Sequence, residues 1–259
     1  MKVFVKVLQV IGMCYAFTVF LIFFFLLFPF VFIASFFGRV SGGNMIYRIC
    51  RFWADVVLPL DFIYHKNIYE AEFDQTHPAV YVFNHLSYLD IPIIFKAIRK
   101  QNFRILGKAE MARIPLFGYL YRNAVVMVER DNAVSRARSV RSLISILSRN
   151  ISVVVSPEGS FNTTGKPLKE FYDGAFRLAI ETKTPIRPLL FLDCYKRMNP
   201  SSFFNISIGR CRVVHLDEIP VEGLTIRDVP VLRQKVHAVM EEGLRRYKAE
   251  WIVEDNISY

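Results

Sequence analysis

The chain has 259 residues, 53% of them hydrophobic and 15% aromatic, with 24 phenylalanines and a formal net charge of +10. That length buries a substantial core and suits one folded domain with appendages, while the positive balance points to an anionic partner. Four cysteines (Cys14, Cys50, Cys194, Cys211) without C-x-x-C spacing read as reduced, small apolar residues facing a cytosol, and five histidines without an H-E-x-x-H pair leave no metal expected.

From Val7 to Phe37 no charged residue interrupts the run VLQVIGMCYAFTVFLIFFFLLFPFVFIASFF. A bilayer core needs about 20 apolar residues as a helix, so this run exceeds one simple span. It allows a tilted single span, or a hairpin dipping into one leaflet and bent near Pro29, which cannot continue the hydrogen-bond ladder. Lys2 and Lys6 precede it, and Arg39, Arg48 and Arg51 follow it. Cations on both flanks suit a hairpin with both ends cytoplasmic, which would place the rest of the chain on the cytosolic side of a bacterial-type inner membrane. A cleaved signal peptide has an apolar region of roughly 7–15 residues before a small-residue site; this run is longer, and IASFFG is a poor site. Residues 1–40 are therefore expected to anchor the protein. Beside an anchor, membrane lipids account for the positive charge more simply than nucleic acid, for which zinc-finger spacing or aromatic-rich basic repeats are missing.

Residues 41–78 read as a connector with an amphipathic helix around NMIYRICRFWADVVL. From residue 79 to 259, β-rich runs (AVYVF, FRILGK, AVVMVE, ISVVVS, PIRPLLFLD) alternate with helical patterns (DIPIIFKAIRK, SRARSVRSLISILSR, EFYDGAFRLAIETK). The alternation predicts an α/β domain: a mixed, largely parallel central sheet flanked by helices. In the second helix Arg138 and Arg141 form either a solvated face over a core stripe or a lipid-facing one. FNISIGRCRVVHLDEI is expected to add one or two edge strands. The chain closes on a helix with Asp228 as N-cap, Pro230 in its first turn, and Leu232, Val236, Val239, Met240, Leu244, Tyr247 and Trp251 as one stripe.

Three stretches hold candidate chemistry. In NHLSYLD, between a strand and a helix, His85 can take a proton near neutral pH and Asp90 can fix its tautomer. A plain helix cap with a turn histidine explains the same residues. No G-x-S-x-G occurs, so a general base here would act on a substrate hydroxyl; a serine hydrolase using Ser156 or Ser160 lacks its nucleophile elbow. In PEGS, Glu158, Gly159 and Ser160 turn the chain at the same sheet edge and could hold hydroxyls or an oxyanion, as could an ordinary turn. Lys108 and Arg130 each flank a strand and could reach an anion.

Together these stretches resemble the glycerolipid (lysophospholipid) acyltransferase family, typified by bacterial 1-acylglycerol-3-phosphate acyltransferase. Its N-H-x4-D block matches Asn84, His85 and Asp90. Its second block matches Lys108, Glu110, Pro115, Gly118 and Arg130. The third matches Pro157, Glu158 and Gly159, with Ser160 for threonine, and the fourth matches Pro185, Ile186 and Pro188. The resemblance implies that His85 and Asp90 are catalytic, moving an acyl group from acyl-ACP or acyl-CoA, as co-substrate and with no cofactor, to a lyso-lipid hydroxyl. Asn84, Lys108, Arg130, Glu158, Gly159 and Ser160 would then bind substrate. One position departs: the family's arginine after the third block is Phe161 here. Lysophosphatidic acid is thus the leading acceptor, a lyso-aminolipid of ornithine or glycine type the alternative, and a non-catalytic lipid-binding protein the reading from another class.

Overall fold

The computed structural model describes residues 2–72, 76–129, 131–200 and 206–253, apart from the side chains of residues 2–6 and 8, so the flanking Lys2 and Lys6 side chains lie outside the described residues. Helix α1 (Lys2–Ser35) is continuous and about 50 Å long at 1.5 Å per residue. Its Gln9–Ser35 portion is long and apolar enough to cross a membrane. The helix runs unbroken past Pro29, so the apolar run does not turn back on itself there, which was one of the two arrangements the sequence allowed. Proline removes one backbone N–H from the ladder, and packing of α1 against α2 (Gly43–Leu60) holds the helix together across it.

The chain reverses instead just after α1, through a wide helical turn at Gly38–Gly42. Gly42 makes that reversal possible, because a Cβ there would lie 2.3 Å from the Ala34 carbonyl oxygen. From this turn α2 runs back along α1. Phe20 meets Trp53 edge-on at 5.7 Å, and the Tyr15 hydroxyl reaches the Leu60 carbonyl. The hairpin is therefore built from the apolar run and the amphipathic helix together. α2 turns Ile46, Tyr47, Ala54 and Leu58 toward the core, while α1 leaves Phe17, Ile22, Phe25, Leu26, Phe30 and Ile33 exposed.

The remaining elements follow as β1 (Ile63–Tyr69), β2 (Val80–Phe83), α3 (Asp90–Ala97), β3 (Phe103–Lys108), α4 (Phe117–Ala124), β4 (Val126–Val128), α5 (Ala133–Leu147), β5 (Ser152–Val155), α6 (Gly174–Thr182), β6 (Ile186–Phe191), a short α7 (Cys194–Arg197), β7 (Gly209–His215) and α8 (Val229–Arg246). Seven strands form one sheet in the order β1-β7-β6-β2-β5-β3-β4. β6, β2, β5, β3 and β4 are mutually parallel, β7 is antiparallel to β6, and β1 is parallel to β7. The central strands β2, β5 and β6 are buried along their whole length, as apolar runs sandwiched between helix layers must be.

Two expectations are corrected by this topology. The sheet starts inside the supposed connector, at β1. The C-terminal strand β7 is interior rather than an edge, because β1 covers it. Both depend on a pairing between segments far apart in sequence, which local periodicity does not carry. The closing helix has its expected stripe, with Leu232, Val236, Met240 and Leu244 buried. Asp228, however, makes no side-chain cap to α8; its carboxylate accepts from the backbone and hydroxyl of Thr225 in the preceding turn.

The chain leaves β2 through α3 toward β3, and leaves β5 through α6 toward β6. These crossovers run in opposite directions across the sheet. Right-handedness then puts their helices on opposite faces and opens a crevice between the carboxyl ends of β2 and β5.

Candidate active site

His85 and Glu158 come from the segments leaving β2 and β5 at that crevice. Asp90 is the first residue of α3 and is fully buried. One of its oxygens, Oδ2, accepts three bonds: from His85 Nδ1 at 2.7 Å, from the Leu86 backbone at 2.7 Å and from the Ser87 backbone at 2.9 Å. The sequence folds this way because a carboxylate at a helix start satisfies the free N–H groups of the turn before it. An ionised carboxylate only accepts, so Nδ1 carries the proton. Nε2 then presents a lone pair and makes no hydrogen bond among the described residues. The ring is 22% exposed.

The His85 main chain is held from both sides. Its N–H donates to Glu158 Oε1 at 2.8 Å, and its carbonyl accepts from the Asn162 backbone at 2.7 Å. Glu158 Oε2 accepts from the Lys169 backbone at 2.9 Å. This carboxylate is 1% exposed and both its oxygens are engaged, so it braces the loop rather than facing the crevice. The turn before Ser160 relies on Gly159 at φ +73°, a region that disfavours a side chain. Ser160 Oγ accepts from Lys169 Nζ at 2.5 Å.

Asn84 is fully buried and bonds both backbone groups of Phe191, pinning the end of β2 to the end of β6. Lys108 ends β3, exposed, on the same sheet edge; two strand spacings put it roughly 10 Å from the β2 end. Arg130 lies outside the described residues. The structure thus brings His85, Asp90, Glu158, Gly159 and Ser160 together, turns Asn84 into the fold, and sets Lys108 to one side.

Two contributors escaped the sequence reading. Asn162 is buried; its Oδ1 accepts from the Thr164 backbone and hydroxyl, and its Nδ2 donates to the Lys166 and Pro167 carbonyls. The Asn-Thr-Thr-Gly run carried that signal, since asparagine followed by small polar residues favours such a turn. Tyr88 packs against Phe161, whose ring stands 4.4 Å from the His85 ring. No local pattern announced that wall.

Other histidines fit a general base poorly. Burial pushes His65 and His215 down to about 4. His77 is 3.4 Å from Glu218 but precedes β2, at the opposite end of the sheet.

Burial also pushes the Glu158 carboxyl up to about 7, against the pull of its two backbone donors and the Lys169 ammonium. A carboxyl raised from 4.5 to about 7 favours the folded state while protonated. Its contribution is full below 4.5 and is lost as pH rises through about 7. The difference in Tm between the wild type and Glu158→Gln should therefore shrink across that interval, because glutamine has no proton to lose. Thermal melts at several pH values check this, and parallel profiles would show that Glu158 does not titrate there.

Fold and dyad define an α/β domain that presents a hydrogen-bonded histidine–aspartate pair at a sheet switch point, beside a hydrophobic helical hairpin. Residues 64–192 match the Acyltransferase family model, and the chain carries a domain of that family. It is 30% identical to human 1-acyl-sn-glycerol-3-phosphate acyltransferase beta over 64% of its length, and 34% identical to the coconut (Cocos nucifera) 1-acyl-sn-glycerol-3-phosphate acyltransferase over 46%. The matches span 59% and 39% of those relatives. The crystal structure of the acyltransferase PlsC from Thermotoga maritima superposes with a TM-score of 0.77 at 20% identity, covering 96% of this chain and 99% of that one. That likeness extends the shared fold to the N-terminal hairpin.

Proposed function

We propose that the protein is a membrane-bound O-acyltransferase that esterifies the free hydroxyl of a lyso-phospholipid, with 1-acyl-sn-glycerol-3-phosphate as acceptor and phosphatidic acid as product. The observation that carries this is the His85 ring: Nδ1 is held on Asp90 at 2.7 Å and Nε2 makes no hydrogen bond among the described residues. Among the described residues no protein nucleophile is hydrogen-bonded to Nε2. Ser87 Oγ donates to the Met198 carbonyl, and Ser160 Oγ is taken by Lys169. The nucleophile is accordingly a hydroxyl of the acceptor.

Nε2 takes the hydroxyl proton as the oxygen attacks the thioester carbonyl of acyl-ACP or acyl-CoA, and Asp90 stabilises the imidazolium that forms. The C–O bond forms, the C–S bond breaks, and the imidazolium returns its proton to the departing thiolate. The exposed apolar face of α1 holds the crevice at the bilayer surface, where a lyso-lipid resides. The +10 charge favours an anionic leaflet.

Phe161 supports a second reading, in which the acceptor is a lyso-aminolipid carrying a hydroxyl without a glycerol phosphate. Purified protein assayed with acyl-ACP and acyl-CoA against both acceptors separates them. Phosphatidic acid formation is the expected result; turnover confined to the aminolipid would replace the first reading with the second.

A further inference from the structure

We propose that Lys169 is the residue that recognises the anionic group of the acceptor, taking the place that Phe161 leaves without a charge. The inference rests on the acyl-transfer reading for the identity of that acceptor. Phe161 packs between Tyr88, which it meets edge-on, and His85, to which it is tilted, so the position after Ser160 offers an apolar wall. The Lys169 ammonium bonds Ser160 Oγ at 2.5 Å, next to that wall. The side chain is half-buried, and no carboxylate of the described residues lies within ion-pair distance of it. An ammonium has three donors. Ser160 takes one, leaving two for an anion.

The spacing is fixed by Glu158. One carboxylate accepts from the His85 backbone through Oε1 and from the Lys169 backbone through Oε2. Those amides therefore sit within about 8 Å of each other, two hydrogen bonds and a carboxylate's width. Base and cation are thereby tethered through their main chains to the same brace. Lys108, by contrast, stands two strands away from β2. Lys166 is exposed, and among the described residues only its main chain joins the loop. Glu158 is accordingly a positioning residue, and Lys169 a specificity determinant.

The test uses the full-length chain in detergent micelles with His85→Ala as background, so that binding is read without turnover. Equilibrium binding of lysophosphatidic acid is compared with that of monoacylglycerol of the same chain, which keeps the hydroxyl and lacks the phosphate. Lys169→Met should weaken lysophosphatidic acid binding about 10–100-fold, the usual worth of a charge-assisted hydrogen bond, and leave monoacylglycerol binding unchanged. Lys169→Arg should keep most of the affinity. Unchanged lysophosphatidic acid binding in Lys169→Met overturns the proposal, as does an equal loss for both lipids, which would mark a structural role. If the protein with His85 intact binds lysophosphatidic acid through Lys169 yet acylates nothing, the acyl-transfer reading falls while the assignment of the lysine stands.

Discussion

Replacing His85 with alanine should lower kcat for acyl transfer by roughly 10²–10⁴, the span that a positioned general base supplies, with little change in Tm. The loop's own hydrogen bonds survive the change, although the ring's contacts with Phe83 and Phe161 are lost. The loop is held by main-chain bonds to Glu158 and Asn162, which alanine keeps. Asp90 Oδ2 still accepts from Leu86 and Ser87. A discontinuous assay of ester product, paired with a thermal melt, reads both halves. Full activity in this variant would remove the base from His85 and with it the mechanism.

Asp90→Asn is the second large effect, and its physical origin differs. All three bonds converge on Oδ2, so an amide carbonyl placed there can keep the turn, the ring orientation and the Nδ1–H tautomer. What disappears is the negative charge facing the imidazolium in the transition state. Losing one member of a buried ion pair costs about 3–5 kcal/mol, a fall in kcat of roughly 10²–10⁴ at near-constant KM. An equal fall from Asp90→Ala accompanied by a large drop in Tm would separate charge from architecture. A KM effect without a kcat effect would instead assign Asp90 to binding.

The strands and helices around the crevice were legible because each has a strong local period. VYVF and SVVV are continuous apolar runs, and they became β2 and β5, two of the central strands, whose exits carry His85 and Glu158. His85 and Asp90 were legible as a candidate pair because a five-residue separation across a helix start lets the two side chains meet, and the resemblance to the acyltransferase blocks favoured that reading over a plain helix cap. The roles of Asn84 and Glu158 were not. Asn84 is satisfied by Phe191 and Glu158 by the amides of His85 and Lys169, and each partner is distant or in another loop. The reversal at Gly42 was likewise hidden, since a glycine shows its need only against the carbonyl it approaches.

The sequence by itself determined the α/β alternation, the apolar N-terminal run and the histidine–aspartate pair, all written in spacings of a few residues. Only the tertiary structure decided that β1 closes the sheet edge, that α1 pairs with α2, that Glu158 binds loops rather than exposed groups, and that Lys169 stands beside Ser160. Those outcomes arise from buried polar groups seeking partners across the fold. A buried donor must be satisfied wherever the chain happens to bring an acceptor, and that choice is made in space rather than along the chain.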